Sequence, residues 1–223
     1  MSRRVGRPST PQIDRASIGA AALELIDRDG GFTMPALARR LGVQVSSIYH
    51  HVDGRGAVVE LVREAVTKDV DGAWFDTLPW DEAVEAWARG YRAAFAAHPS
   101  AVRLLATETI AAGATVLDYQ SAAAGLLRAG FPEGRVLAVI VAIDDFMLGA
   151  AIDTAAPDEI FHLDADDPAS ASLRRVVAAA PKGPARAQQA FDVGLEAMIR
   201  GLREMLTADD RAVLASAGPG ERR

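Results

Sequence analysis

Residues 32–52 read FTMPALARRLGVQVSSIYHHV, and this stretch decides the fold of the N-terminal part of the chain. Thr33 followed by Pro35 is a favourable helix start, because threonine caps the first turn and proline fits within it. Gly42 allows a tight turn after this first helix. The apolar residues have the spacing of two short helices on a common core: Leu37, Ala38, Leu41, Val43, Ile48 and Val52. The pattern predicts a helix-turn-helix.

The second short helix of this stretch leaves one face for a partner. Its remaining side chains are small or polar: Gln44, Ser46, Ser47, Tyr49, His50 and His51. Such a face fits the major groove of DNA, where hydroxyl, amide and imidazole groups reach base edges and phosphates. A solvated helical hairpin has the same spacing, so the spacing alone leaves both interpretations open.

The rest of the chain is rich in alanine and leucine and has no alternating strand pattern, which predicts an all-α fold. Glycines, prolines and caps divide it into predicted helices at about 12–29, 33–41, 44–51, 55–75, 80–97, 100–112, 114–129, 133–154 and 184–206, with a short one near 169–179. The predicted domains are a flexible basic arm (1–11), a helix-turn-helix domain (12–55), a helical bundle (56–215) and a disordered tail (216–223).

The composition excludes several classes of protein. The 223 residues include no cysteine, which excludes disulfides, thiol catalysis and cysteine-ligated zinc. No apolar run is long enough to span a membrane and no signal peptide is recognisable, so we expect a cytoplasmic protein. The net charge of −6 is unevenly distributed: residues 1–55 have eight arginines and five acidic residues, a net +3, which leaves −9 for residues 56–223. A basic N-terminal part suits contact with phosphates.

The run ALARRLGV at residues 36–43, followed by IYHHV at 48–52 and by Arg55, resembles the DNA-binding domain of the tetracycline-repressor (TetR) family of bacterial transcription regulators. Further matches follow in order: Trp80-Asp81, His98-Pro99, Gly130-Phe131, 145–149 and 191–195. The resemblance covers nearly the whole chain. It implies an N-terminal three-helix DNA-binding domain joined to a helical bundle that binds a ligand and forms the dimer.

The resemblance also implies roles for single residues. Phosphate contacts would come from Tyr49, His51 and Arg55, and base-edge contacts from Val45, Ser46, Ser47 and His50. Thr33 and Met34, at the start of the first short helix, would meet the DNA backbone. Gln44 belongs to the same predicted surface.

Three further features of the sequence concern DNA contacts and metal binding. Pro35 stands where the family often has a hydrogen-bond donor, so this chain lacks that contact. The arm with Arg3, Arg4 and Arg7 either reaches DNA or is a solubilising tail, and the sequence leaves both open. The histidines have no metal-ligand spacing, so we expect no metal site and no cofactor.

Trp87, Tyr91 and Phe95 lie on one face of a predicted helix. The spacing fits an ordinary aromatic core, whereas the resemblance implies that they line a ligand pocket, to which we add Leu105. Asp144 and Asp145 interrupt an apolar helix, where a carboxylate needs a partner. That partner is an internal arginine (Arg92, Arg103 or Arg135) or a ligand, and the resemblance favours Asp145 as the ligand-binding residue. The expected ligand is mostly apolar with a few polar groups.

The last long helix has small residues among large ones, which permits close helix packing. The resemblance implies that it forms a homodimer interface with the helix at 133–154, through Phe191, Gly194, Leu195, Met198 and Leu202. Packing of the same faces within one chain is the alternative.

The function that follows is a ligand-responsive repressor, which binds a palindromic double-stranded DNA operator as a homodimer and is released by a small-molecule effector. A ligand-independent regulator and an activator are the alternatives. An enzyme is disfavoured, because the sequence has no nucleophile elbow, phosphate loop or metal-ligand spacing. Asp144 and Asp145 are adjacent on a helix and so do not face one substrate.

Overall fold

The structure is a computed structural model that describes residues 13–70, 72–110 and 113–216. Eleven α-helices and no strand occur within these residues, which confirms the predicted all-α fold. In chain order the helices are α1 (Arg15–Asp29), α2 (Met34–Leu41), α3 (Val45–Tyr49), α4 (Gly54–Thr67), α5 (Trp74–Thr77), α6 (Trp80–Ala96), α7 (Pro99–Leu105), α8 (Ala114–Arg128), α9 (Glu133–Asp153), α10 (Ala171–Ala179) and α11 (Gly183–Ser216). The predicted arm (1–11) and residues 217–223 of the predicted tail lie outside the described residues.

The chain divides into two compact units, which we call the head and the body. The head comprises the described residues within 1–70 and 97–117, and the body comprises those within 71–96 and 118–223. The predicted domain boundary at residues 55 and 56 falls inside α4, and all of α4 belongs to the head. The division of function between residues 12–55 and 56–215 stays a prediction.

Local signals in the sequence account for the ends of the first helices. Asp14 caps α1 by accepting a hydrogen bond from the Ser17 amide at 2.8 Å. Thr33 caps α2 in the same way, through the Ala36 amide at 3.2 Å, as predicted. Gly42 ends α2 with a φ of 70°, a left-handed conformation that glycine adopts without strain.

The core of the head lies between α1 and α4. Ile18 and Ile26 on α1 are fully buried, as are Val58 and Val62 on α4. The helices approach closely at Gly19, where a Cβ atom would lie 2.5 Å from the Leu61 carbonyl oxygen. Around this pair, α2 packs on α1, α3 packs on α2, and α7 packs on both α1 and α4.

Two predicted helices are shorter than expected because weak helix formers follow their ends. The predicted helix 55–75 ends at Thr67, before an Asp- and Gly-containing segment, and a separate short helix, α5, follows it. The predicted helix 100–112 ends at Leu105, and the Thr107 hydroxyl then donates to the Leu104 carbonyl.

Two other helices differ from their predicted bounds: one is shorter and the other is longer. The helix predicted at 44–51 is regular only over α3, with turn hydrogen bonds from the His51 and Val52 amides to the Ile48 carbonyl. The helix predicted at 184–206 continues to Ser216, because the added segment contains three alanines and neither glycine nor proline.

The body is built around α6, on which α5, α9 and α11 pack, while α9 also packs on α11. Ion pairs tie these helices together. Arg186 on α11 pairs with Asp153 at the end of α9 (3.0 Å), and Arg203 donates to Asp81 on α6 (2.9 Å). The Arg203 guanidinium lowers the pKa of Asp81 below its ordinary value. Within the residues that the structure describes, no helix is both long and apolar enough to cross a membrane.

We predict that Gly19→Ala destabilises the protein by about 1–3 kcal/mol, because the new methyl group meets the α4 backbone rather than a movable side chain. Urea or thermal unfolding of the whole chain measures the change.

Gly56→Ala is the matched control, since Gly56 lies in α4 with open space around its Cβ position. We expect this variant to lose no stability and to gain at most about 1 kcal/mol. Equal stability of Gly19→Ala and the parent chain would contradict the close approach of α1 and α4.

Candidate nucleic-acid interface and ligand site

The turn between α2 and α3 is held by backbone hydrogen bonds. The Gly42 amide donates to the Arg39 carbonyl (3.2 Å), and the Val43 amide donates to the Ala38 carbonyl (3.0 Å). Leu37 and Ala38 are buried on the inner side of α2. The two backbone hydrogen bonds of the turn therefore fix the orientation of α3 relative to α2.

The helix α3 has two distinct faces. Ile48 is fully buried, and Val52 just beyond the helix is also buried, so both anchor α3 to the head. The predicted DNA-facing residues are mostly exposed: Gln44, Ser46, Tyr49, His50 and His51 are exposed, while Val45 and Ser47 are half-buried. Tyr49 is 52% exposed, which is unusual for an aromatic side chain without a partner surface.

Thr33 and Met34 lie at the start of α2. The Thr33 side-chain oxygen accepts the Ala36 amide, so the cap uses its acceptor, but its hydroxyl hydrogen is still able to donate to a phosphate. Met34 is half-buried and Pro35 is exposed.

Arg55 has a carboxylate partner that the sequence did not predict. Its guanidinium donates to Glu108 Oε1 at 2.9 Å and lies over the Phe32 ring, 5.2 Å from the ring centroid. The two charged residues are 53 positions apart, so no local pattern signals the pair. Arg15 is a second cation near the interface, and it donates to the His51 carbonyl at 3.1 Å.

In the body, the predicted pocket residues Trp87, Tyr91 and Phe95 form a continuous row of buried rings on α6. Trp87 makes edge-on contacts with Tyr91 and with Tyr119 of α8, at ring-centroid distances of 5.8 and 5.9 Å. Phe75 of α5 contacts Trp87 at 5.7 Å. The structure therefore brings three of the predicted ligand-binding residues together, and Phe75 and Tyr119 are neighbours that the sequence analysis missed.

The row has one polar contact at Tyr91, whose hydroxyl donates a hydrogen bond to Asp118 Oδ2 at 2.8 Å. Burial raises the pKa of Tyr91 above its ordinary range, and the negative charges of Asp118 and Asp144 raise it further. Tyr91 is consequently a neutral hydrogen-bond donor. Asp118 was missed because it lies 27 residues from Tyr91, on another helix.

The three other predicted ligand-binding residues are placed differently from one another. Asp145, which the resemblance favours, is exposed, whereas Asp144 is half-buried and acts electrostatically on Tyr91. Leu105 is buried in α7 and belongs to the head. Arg92, one of the arginines considered as an internal partner, donates to Gln188 at 2.8 Å and lies 4.4 Å from the centroid of the Phe191 ring.

The predicted dimer residues of α11 mostly face the interior of the body. Phe191, Leu195 and Leu202 are buried, and Phe191 stacks on Phe146 of α9 at 5.3 Å. Gly194 adjoins Phe146 as well, since a Cβ there would lie 2.5 Å from its ring. Met198 is half-buried. These positions therefore pack against other helices of the same body.

The outward face of α9 and α11 is apolar at several positions instead. Leu137 and Val141 of α9 are 71% and 47% exposed, and Val193 of α11 is 64% exposed. Large exposed aliphatic side chains on neighbouring helices are typical of a protein interface.

The titratable groups of the chain form no metal centre among the described residues, where no cluster of three His, Cys, Asp or Glu side chains is suited to an ion. His98 lies 2.7 Å from Asp27 through Nδ1.

Comparison with known proteins gives three informative similarities. An HTH-type transcriptional regulator of Saccharopolyspora erythraea is 30% identical over 142 residues, 63% of this chain and 60% of the relative. The tetracycline repressor protein class A from transposon 1721 of Escherichia coli is 30% identical over 199 residues, 82% of this chain and 87% of the relative. Apo ActR from Streptomyces coelicolor has a similar fold, with a TM-score of 0.69 at 22% identity over 90% of this chain and 98% of that one.

The extent of these matches differs. This chain spans 60% of the length of the Saccharopolyspora regulator and 56% of a repressor from Streptomyces coeruleorubidus. The family described as the tetracyclin repressor-like C-terminal domain matches residues 76–206, which is more than half of the chain. The chain therefore belongs to the tetracycline-repressor (TetR) family of transcriptional regulators.

Proposed function

We propose that this protein is a ligand-responsive transcriptional repressor, which binds a palindromic DNA operator as a homodimer and is released by a small-molecule effector. The observation that carries the proposal is the two-sided α3. Ile48 anchors one side of α3 in the head, while Ser46 and Tyr49 on the other side are exposed. The protein acts in the cytoplasm by binding rather than by catalysis.

On DNA, α3 enters the major groove, with Ser46 and His50 near base edges and Tyr49 and His51 near phosphates. Serine hydroxyls both donate and accept, so they discriminate weakly between bases. Sequence preference therefore depends partly on DNA shape and deformability.

Arg55 contributes a phosphate contact only after it leaves Glu108. The pair is exposed, with the side chains 50% and 34% accessible, so separating it costs about 1 kcal/mol or less. A phosphate that accepts two parallel hydrogen bonds from the guanidinium is a stronger partner than Glu108, which accepts one from Arg55 and is screened by water. Glu108 thereby weakens DNA binding without abolishing it.

The effector binds in the body, where the aromatic row of α6 meets the polar pair Tyr91 and Asp118. We assign polar recognition to Asp118 and Asp144 rather than to the exposed Asp145. Solved proteins with this fold are in complex with minocycline or with actinorhodin, and both molecules combine fused rings with polar groups. To weaken operator binding 100-fold, an effector must bind the released state about 2.8 kcal/mol more favourably than the DNA-bound state.

The ligand-independent regulator remains a second candidate because of one observation: Trp87, Tyr91 and Phe95 are at most 3% exposed and contact one another directly. Buried aromatic side chains in direct contact also form ordinary hydrophobic cores that bind no ligand. Measuring DNA binding in the presence of candidate effectors distinguishes the two candidates.

The homodimer interface uses the outward face of α9 and α11, including Leu137, Val141 and Val193. A twofold arrangement of two heads matches a palindromic operator. Phe191, Leu195 and Leu202 support this face from inside the body.

We predict that Tyr49→Ala weakens binding about tenfold on every DNA sequence tested, because a phosphate contact is independent of base identity. Fluorescence anisotropy with DNA flanking the gene measures the affinity. Ser47→Ala changes the preference at one base position instead. Arg28→Ala, an exposed change at the far end of α1, is the control and leaves the affinity unchanged.

The same assay tests the effector. Minocycline and actinorhodin are included in a panel of candidate effectors. We expect at least one member to release the DNA, and the same molecule to change the fluorescence of the buried Trp87.

Full DNA affinity of Tyr49→Ala would rule out the proposed docking. Operator binding that no panel member changes would favour the ligand-independent regulator.

We predict that Glu108→Gln increases operator affinity about two- to fivefold, because Arg55 no longer has a competing carboxylate. Arg55→Ala lowers the affinity and reduces the slope of log K against log salt by about 1. The anisotropy assay at several salt concentrations measures both.

Asp29→Asn is the control for the loss of one negative charge from the head, since Asp29 pairs with Arg28 at the surface. The gain from Glu108→Gln must exceed the gain from Asp29→Asn, and it must vanish in the Arg55→Ala background. A gain that persists without Arg55 would show that Glu108 acts only through overall charge.

We predict that Leu137→Glu together with Val193→Glu converts the protein to a monomer, because two charges cannot be buried in an apolar interface without partners. Light scattering measures the mass, and unfolding shows that the fold is intact. Leu127→Glu on α8, which is 45% exposed, is the control and leaves the mass unchanged. A dimer that survives the double substitution would place the interface elsewhere.

A further inference from the structure

The body contains a cavity of about 730 Å³ that the proposed function does not use. It lies among the segment 158–163, α10 and the start of α11, all of which belong to the body. The aromatic row of α6 contributes no residue to its lining. A volume of this size is typical of sites for small organic molecules.

Most of the lining is apolar. The large apolar side chains come from the segment before α10 and from α10 itself: Ile160, Phe161, Leu163, Leu173, Val176 and Val177. None of the nine residues of α10 is buried, and Val176 is 62% exposed. Apolar side chains that line a common cavity while they remain open to solvent favour a ligand with an apolar part.

Three lysine or arginine side chains also line the cavity, and two of them have carboxylate partners. Arg186 donates two hydrogen bonds of 3.0 Å to the Asp153 carboxylate, and Lys182 Nζ lies 3.1 Å from Glu159 Oε1. The charges of Arg186 and Lys182 are therefore balanced within the protein, and another anion gains little from them.

Arg174, the third cation, has only uncharged partners among the described residues. Its Nη1 donates to the carbonyl oxygens of Asp164 and Asp167 and to the Ser170 hydroxyl oxygen. These acceptors hold the guanidinium in place without balancing its charge. Its Nε and Nη2 atoms have no partner in the part of the chain that the structure describes, and both remain accessible to solvent. They form an edge that suits two parallel hydrogen bonds to a carboxylate.

The acidic side chains near the cavity are engaged elsewhere. The carboxylates of Asp164 and Asp167 accept hydrogen bonds from nearby backbone amides, at 3.0 and 2.9 Å. Asp158 lines the cavity, but its Oδ1 lies 2.6 Å from the position of a Cβ on Gly183. Gly183 is the first residue of α11, where the helix dipole stabilises a negative charge. Arg174 therefore keeps an accessible positive edge beside an apolar lining.

We propose that this cavity binds an organic carboxylate with an extended apolar chain, with Arg174 holding the carboxylate and the apolar side chains of α10 covering the chain. A cationic ligand would meet the unbalanced charge of Arg174, and a small inorganic anion would leave the apolar lining in water. The site is separate from the aromatic row that we assign to the effector. Occupation of this cavity does not require DNA.

Isothermal titration calorimetry of the whole chain with octanoate, at neutral pH and without DNA, tests the proposal. We expect saturable binding of one molecule per chain. Octan-1-ol and octylammonium have the same chain without the negative charge, and we expect both to bind at least tenfold more weakly. Acetate has the charge without the chain and gives no measurable binding.

The first variant removes the charge of the anchor. Arg174→Gln keeps a donor for the neighbouring carbonyl groups, and we expect it to weaken octanoate binding about tenfold or more, because the paired charge-assisted hydrogen bonds are lost. Arg175→Gln is the matched control. Arg175 is the exposed neighbour on α10 outside the lining, so this variant leaves the dissociation constant unchanged.

A second variant tests the site without altering Arg174, and it decides the matter if Arg174→Gln does not fold. Val176→Asp places a negative charge among the apolar lining residues at an exposed position of α10. We expect it to weaken octanoate binding about tenfold. Ser172→Asp, an exposed change on α10 outside the lining, is the control and leaves the affinity unchanged.

Four results would overturn the proposal. Absence of octanoate binding to the parent chain would mean that the cavity holds no such ligand. Equal affinity for octan-1-ol, or full affinity in both Arg174→Gln and Val176→Asp, would mean that octanoate adheres to apolar surface without a carboxylate site. Light scattering at saturating octanoate provides the fourth result, since a fall in mass would show that a second copy of the chain covers the cavity. We expect the mass to stay the same.

Discussion

The contact between α1 and α4 is the constraint on which the head depends. At Gly19 the helix surface comes so near to the Leu61 carbonyl that no side chain fits between them. The α2–α3 pair is built on α1, and α7 packs against both helices of this contact. The exposed face of α3, which we propose to meet DNA, is therefore supported by this close packing. A small change at Gly19 consequently affects that face as well.

Charge in the head is organised by partners that are far apart in the sequence. Arg55 bonds to Glu108, and Arg15 bonds to the His51 carbonyl. Exposed pairs of this kind add little to stability, because water screens them and the side chains lose freedom. Their effect is on binding, since each determines whether its arginine is available to a phosphate. The net charge of the chain does not reveal which arginines are paired in this way.

Sequence reasoning succeeded where the signal is local. The Thr33 cap, the Gly42 turn and the buried Ile48 were all predicted, because caps and spacing depend on neighbours within a few residues. It leaves a choice open where a helix has apolar residues on more than one face. The resemblance assigned Phe191 and Leu195 to a homodimer interface, with packing inside one chain as the alternative. Both side chains are buried within the body, and the interface itself stays a prediction. Pairs such as Tyr91 and Asp118 join separate helices and have no local pattern.

The body sets a physical condition on any effector. Tyr91 and Trp87 are buried in contact with other rings, and the Tyr91 hydroxyl is already bonded to Asp118. A molecule that enters this row must replace the ring contacts, and it binds more tightly if it offers the half-buried Asp118 a donor in place of Tyr91. An apolar molecule without a donor leaves this carboxylate to water alone and binds more weakly. Fused rings with a few polar groups meet both requirements. Under the proposed function, the rearrangement that they impose is the difference between the DNA-bound and the released state.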